Sequence, residues 1–174
     1  MADLVITSVG HDRPGIVHRI TGIVAQHGGN LADSRMVNLR GRFAVLVLAE
    51  VPDGKGPAIT EALAALDREF GLRTTLFEAP PSSTGAVGVP YRLKTFAMDQ
   101  PGIVHAVTDY LSKKGINVEE LSTHAEPRPE SGAPIFSMDM RITVPGTLKI
   151  QGLRAELEEL CAGLNCDVEL IGMG

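Results

Sequence analysis

The same five residues, PGIVH, stand at positions 14–18 and again at 101–105, each time two residues after an aspartate, Asp12 and Asp99. A pentapeptide repeated word for word 87 residues apart constrains the fold more than any other feature, because it signals copies of one structural unit. The copying extends beyond the pentapeptide. Thr21 and Thr108, Gly28 and Gly115, and Asn30 and Asn117 keep the same offset. Further along, Phe43 matches Phe136 and Val51-Pro52 matches Val144-Pro145 at an offset of 93. The six additional residues fall in the stretch PRPESGAP at 127–134, whose composition is that of a turn. Between the halves, PPSSTG at 80–85 reads as a linker. The expected organisation is a domain at 1–79, a linker at 80–89 and a second domain at 90–174.

Each half carries one pattern. Residues 4–9 are a β-rich run that stops at Gly10. From Pro14 onward, Ile16, Ile20, Ile23 and Val24 form the apolar stripe of a helix, which Gly28-Gly29 ends. Residues 31–39 and 43–51 flank Arg40-Gly41-Arg42, a hairpin turn. Ile59, Leu63, Leu66 and Phe70 place a second helix at 57–70, and 73–77 is a last short strand. Segments 91–98, 102–114, 117–126, 134–144, 147–163 and 166–172 repeat the order. The fold class is therefore α+β: two ferredoxin-like βαββαβ domains, each an antiparallel four-stranded sheet with two helices on one face.

The repeated stretch permits two readings. Proline suits the first turn of a helix, and glycine lets the backbone approach a neighbour closely. The helical amides after Pro14-Gly15 and Pro101-Gly102, starting at Ile16 and Ile103, have no intrahelical acceptor and form an anion site. A carboxylate on those amides, with Asp12 or Asp99 taking an ammonium group, would make a receptor for a free amino acid. Equally, an aspartate at a helix start is a favoured cap, and Pro-Gly is ordinary turn chemistry. Asn30 and Asn117 are either turn residues or side-chain amides reaching the same ligand.

Other features exclude function classes. The chain carries 16 basic and 21 acidic side chains. Its first 89 residues hold 8 and 9 of them, the remainder 8 and 12, so neither half is a basic footprint for the phosphate backbone of nucleic acid. An RNA-binding βαββαβ module is disfavoured by 4% aromatics and by the lack of a stacking pair on the third strand. The longest apolar run, 43–49, is far short of a membrane span, and the N-terminus lacks a signal-peptide layout. Cys161 and Cys166 have neither zinc nor redox spacing and read as reduced thiols in a cytoplasmic protein. The histidines form no metal-ligand spacing, and no metal or cofactor is expected. His18 and His105 lie opposite their apolar stripe, which places them in solvent or at a contact. No nucleophile elbow, P-loop or dinucleotide fingerprint is present.

A strand, then D-x-P-G-I-V, a helix, and G-G-N or G-I-N opening the next strand resembles the ACT domain, a regulatory module whose members bind amino acids. Both halves fit. The resemblance implies a regulator, not an enzyme. It implies a ligand held between two modules by the loop after strand one and the start of strand two. Those positions are Asp12, Pro14, Gly15, Ile16 and Asn30, and Asp99, Pro101, Gly102, Ile103 and Asn117. The implied ligand is a small amino acid, glycine or serine. The implied assembly is a homo-oligomer that modulates transcription through a protein partner, such as a DNA-binding activator, without touching DNA or membrane. ACT modules also accompany amino-acid-metabolising enzymes, so a regulatory subunit of such an enzyme is the alternative.

One difference between the halves bears on assembly. On the third strand, Val45, Val47, Ala49 and Val51 match Met138, Met140, Ile142 and Val144, apolar in both copies and expected beneath the helices. The alternate positions are Ser137, Asp139, Arg141 and Thr143 in the second half, a water-facing set. In the first half they are Ala44, Leu46, Leu48 and Glu50. A strand apolar on both faces is expected to be covered on both, by the other domain or by a second chain.

Overall fold

A computed structural model describes residues 1–79, 88–127 and 134–173. Most of the 80–89 linker and of the 127–134 stretch lies outside them. The chain divides into two compact units, Met1–Ser83 and Thr84–Gly174. The first runs β1 (Ala2–His11), α1 (Ile16–Gln26), β2 (Asn30–Leu39), β3 (Arg42–Val51), α2 (Gly56–Phe70) and β4 (Arg73–Glu78). The second repeats it as β5 (Val89–Met98), α3 (Ile103–Lys113), β6 (Asn117–Glu126), β7 (Ile135–Val144), α4 (Ile150–Gly163) and β8 (Cys166–Gly172). The sheet orders are β2-β3-β1-β4 and β6-β7-β5-β8, with every neighbouring pair antiparallel. This is the expected ferredoxin-like arrangement in both halves. β5 starts at Val89, one residue inside the expected linker.

The cores form where the periodicities predict. In the first unit Leu4 and Ile6 of β1 and Phe43, Val45, Val47, Ala49 and Val51 of β3 are buried against Ile16, Ile20 and Val24 of α1 and Ile59, Leu63 and Leu66 of α2. Each such side chain contributes about 1.5–3 kcal/mol by leaving water. The second unit uses Leu93, Met138, Met140, Ile142, Val107, Leu111, Leu153 and Leu157 in the same way. Gly28 and Gly115 end α1 and α3 at positive φ, 77° and 68°. The edge strands β2 and β6 carry an irregularity at the same place, between Leu31 and Asp33 and between Val118 and Glu120.

One half-buried polar group distinguishes the units. Asp67 of α2 accepts the backbone N–H of Thr74 at 2.9 Å and its hydroxyl at 2.5 Å, and Thr74 Oγ1 lies 3.0 Å from Ser8 Oγ in the core. The helix is thereby tied to β4 and β1. In α4 the buried positions Leu153 and Leu157 are followed at the same spacing by Cys161 instead of a carboxylate.

The outer sheet faces also differ. Leu46 is 48% exposed and Phe77 53% exposed on the first unit. On the second, Arg92 makes a two-pronged ion pair with Asp139, and Arg141 pairs with Glu119 and Glu120. Thr143, expected to face water, is buried, because Gly88 runs so close that a Cβ there would lie 2.8 Å from its Cγ2.

Candidate ligand-binding site

Each PGIVH copy lies at a strand-to-helix junction, and the glycine sets its shape. Gly15 and Gly102 precede α1 and α3 with φ of 94° and 100°, a left-handed conformation that side chains disfavour. A Cβ on either would meet nothing within 4 Å, so the space above each junction is open. The helical hydrogen bonding starts with Arg19 N–H donating to Gly15 and Ala106 N–H to Gly102, both at 2.9 Å. The three preceding amides, of residues 16–18 and 103–105, therefore lack an intrahelical acceptor. Neither helix has a side-chain cap. The cap reading of Asp12 and Asp99 does not hold, and both rows of amides stay available to an anion.

The two aspartates are placed differently. Asp12 is held by the β2–β3 hairpin. Its N–H donates to Gly41 at 3.0 Å, and its Oδ2 accepts from Asn38 Nδ2 at 2.5 Å. Asn38 Oδ1 in turn accepts the Gly41 N–H at 3.0 Å. Asp99 N–H donates to Pro134 at 2.9 Å, but β6 has Ala125 opposite Phe136 where β2 has Asn38 opposite Phe43. No amide holds the Asp99 carboxylate from that position. Asn38 and Ala125 are members of the site that the motif alone did not disclose; the 87-residue offset of the repeat pairs them.

The remaining expected residues divide into two groups. Pro14, Gly15, Pro101 and Gly102 are exposed at the junctions. Ile16 and Ile103 are buried core anchors, so only their backbone faces the opening. Asn30 and Asn117 are exposed first residues of β2 and β6. Because β1 and β2 are both antiparallel to β3, they run in the same direction, and Asn30 stands at the far end of the sheet from Asp12. Ten residues of strand at ~3.3 Å each separate the two ends by about 30 Å. Neither unit brings its asparagine to its own junction.

Two histidines make local contacts. Arg42 Nη1 lies 2.6 Å from His11 Nε2, and His27 Nδ1 lies 2.8 Å from Ile23 O. His18 and His105 are exposed, as the helical geometry predicts. Among the described residues no group of His, Cys, Asp and Glu could hold a metal ion. Cys161 and Cys166 are buried, and burial followed by the neighbouring Cys166 pushes the Cys161 thiol up to about 12. No described helix is long and apolar enough to cross a membrane.

Comparison with known proteins completes the description. The ACT domain family model matches residues 2–76. The glycine cleavage system transcriptional repressor of Escherichia coli is 26% identical over 167 residues, covering 93% of this chain and 85% of that protein. Phosphoserine phosphatase SerB2 of Mycobacterium tuberculosis is 26% identical over 165 residues, which are 90% of this chain but 38% of that enzyme. An unknown protein from Galdieria sulphuraria superposes with a TM-score of 0.89 at 31% identity, covering 99% of each chain.

Proposed function

Since the chain belongs to the ACT-domain family, as a tandem of two such folds, we propose that it is an amino-acid-responsive regulator. It does no chemistry of its own and modulates transcription through a protein partner, in the manner that the name of its Escherichia coli relative suggests. The observation that carries this reading is the pair of uncapped helix starts behind left-handed glycines, with open space above each. Three convergent amides suit a carboxylate, and an aspartate two residues before the proline suits an ammonium group. Glycine and serine are the amino acids we propose. Asn30 and Asn117 take no part at their own junctions, from which about 30 Å separates each.

The first unit's Asp12 is already engaged by Asn38, whereas Asp99 has Ala125 in that place. The second junction is therefore the stronger ammonium site. Glycine and serine at millimolar concentration should raise the melting temperature, because a ligand that binds only the native state stabilises it. Asp99→Ala should remove most of that rise, and Asp12→Ala less. A panel of all twenty amino acids with no thermal shift and no calorimetric heat would refute amino-acid sensing. The formal charge of −5 favours action through a protein partner over direct DNA binding. A sequence-specific gel shift by the purified chain that persists at physiological salt would overturn the indirect mechanism.

The match to part of a phosphatase supports a second reading, a module that serves an amino-acid-metabolising enzyme. Capture of the native partner separates the two: a DNA-binding activator supports the first, a metabolic enzyme the second.

A further inference from the structure

The outer face of the first sheet has a chemical symmetry that the second sheet lacks. Alternate residues of β1 and β3 are buried against the helices, so the others face away from them. On β3 the outward series is Arg42, Ala44, Leu46, Leu48, Glu50. On β1 it is Asp3, Val5, Thr7, Val9, His11. The β3 series runs from a base to an acid across an apolar stretch, and the β1 series from an acid to an imidazole. The register aligns them, with Asp3 opposite Glu50, Thr7 opposite Leu46 and His11 opposite Arg42. The two central strands thus present an acidic pair at one end, the Arg42 guanidinium with the His11 ring beside it at the other, and a mostly apolar band between, bordered on β2 by Arg35 opposite Leu46. Leu46 at 48% and Val9 at 46% exposure lie in that band, and Phe77 extends it on β4 opposite Val5.

A face of this kind is complementary to itself in one orientation. Two copies stacked with their strands parallel would set acid over acid. Stacked with strands antiparallel, Glu50 meets Arg42 of the second copy, Asp3 meets its His11, and the apolar bands coincide. We propose that a second copy of this chain docks on the outer face of the first sheet, face to face and antiparallel, with the two-fold axis beside Leu46 and Thr7. Stacked sheets pack about 10 Å apart with strands within about 30° of alignment, which keeps these rows in register. The contact is isologous and closes as a dimer. The second unit's corresponding face is occupied by its own Arg92–Asp139 and Arg141–Glu119 ion pairs and offers no such band. The surface is distinct from the PGIVH junctions, so the proposal stands or falls independently of amino-acid binding.

Sedimentation velocity on the full chain at about 100 μM tests it. The expected species is a dimer. Leu46→Asp replaces the two leucines that meet at the axis by carboxylates that must leave water, even with Arg35 beside them, and should yield a folded monomer. Glu50→Arg and Arg42→Glu, each applied twice by symmetry, should each raise the dimer Kd about tenfold or more at low salt, since charges at an interface rim act chiefly through complementarity. The double variant Glu50→Arg with Arg42→Glu restores opposite charges across the interface and should return the Kd to within a few fold. A monomeric wild type, a dimer indifferent to Leu46→Asp, or a double swap no tighter than the single reversals would each overturn the proposal. The charge variants lie on the surface and keep the test decisive even if the Leu46 variant fails to fold.

Discussion

Gly102 and Gly152 make a controlled pair. A Cβ at either would meet nothing within 4 Å, so alanine is sterically free at both. Only the backbone differs. Gly102 sits at φ 100° before α3, and Gly152 lies within α4. Holding an L-residue in the left-handed region costs roughly 1–2 kcal/mol. Alanine in place of glycine inside a helix stabilises by roughly 0.5–1 kcal/mol. The chain has two tyrosines and no tryptophan, and Tyr91 and Tyr110 both lie in the second unit, so tyrosine fluorescence reports on that unit's unfolding. With a urea m-value of about 1.5 kcal/mol/M, Gly102→Ala should lower the midpoint by about 1 M and Gly152→Ala should raise it by about 0.5 M. Gly102→Asn should fall between Gly102→Ala and wild type, because asparagine tolerates the left-handed region. Midpoints that move in the same direction for the two alanine variants, or an unchanged Gly102→Ala, would refute the view that backbone conformation alone demands glycine at the junction.

Two further outcomes follow from buried and half-buried groups. Asp67→Ala removes the acceptor of both the Thr74 N–H and its hydroxyl and should cost about 1–3 kcal/mol in chemical denaturation, with Asp67→Asn recovering part of it. Cys161 holds its proton more tightly folded, up to about 12, than unfolded, near the ordinary thiol value of about 8.5. Its contribution to stability is therefore complete below the unfolded value and is lost as pH rises toward 12, at up to about 1.4 kcal/mol per pH unit. Tyr110, raised to about 12 by burial and by its bond to Glu156, adds to the loss above about pH 10. Denaturation monitored by circular dichroism from pH 8 to 11 should show this decline, and Cys161→Ala should flatten it, with its stability below that of the wild type at pH 8 and the difference closing as pH rises.

The repeat, the strand-and-helix order and the inner faces were legible in the sequence, because each depends on local signals. Ile16, Ile20 and Val24 recur at helical spacing, Val45, Val47 and Ala49 alternate, and Gly28 and Gly115 stop their helices wherever the rest of the chain lies. The sequence reads the junction glycines as points of close approach; their left-handed φ, with open space above, comes from the structure. What the tertiary structure decided depends on pairing across the chain. Asp12 could be a cap or a ligand group by spacing alone; the hairpin 26 residues on brings Asn38 to it and leaves the helix uncapped. Ala125 denies Asp99 the same partner, which makes two identical motifs chemically unequal. Asn30 follows Asp12 closely in sequence, yet the shared direction of β1 and β2 puts it at the opposite end of the sheet. The two-ended charge of the outer face appears only when β1 is laid against β3 in register, for neither strand by itself specifies which acid stands beside which leucine. Periodicity assigns a residue to a face; only the pairing of strands assigns it neighbours.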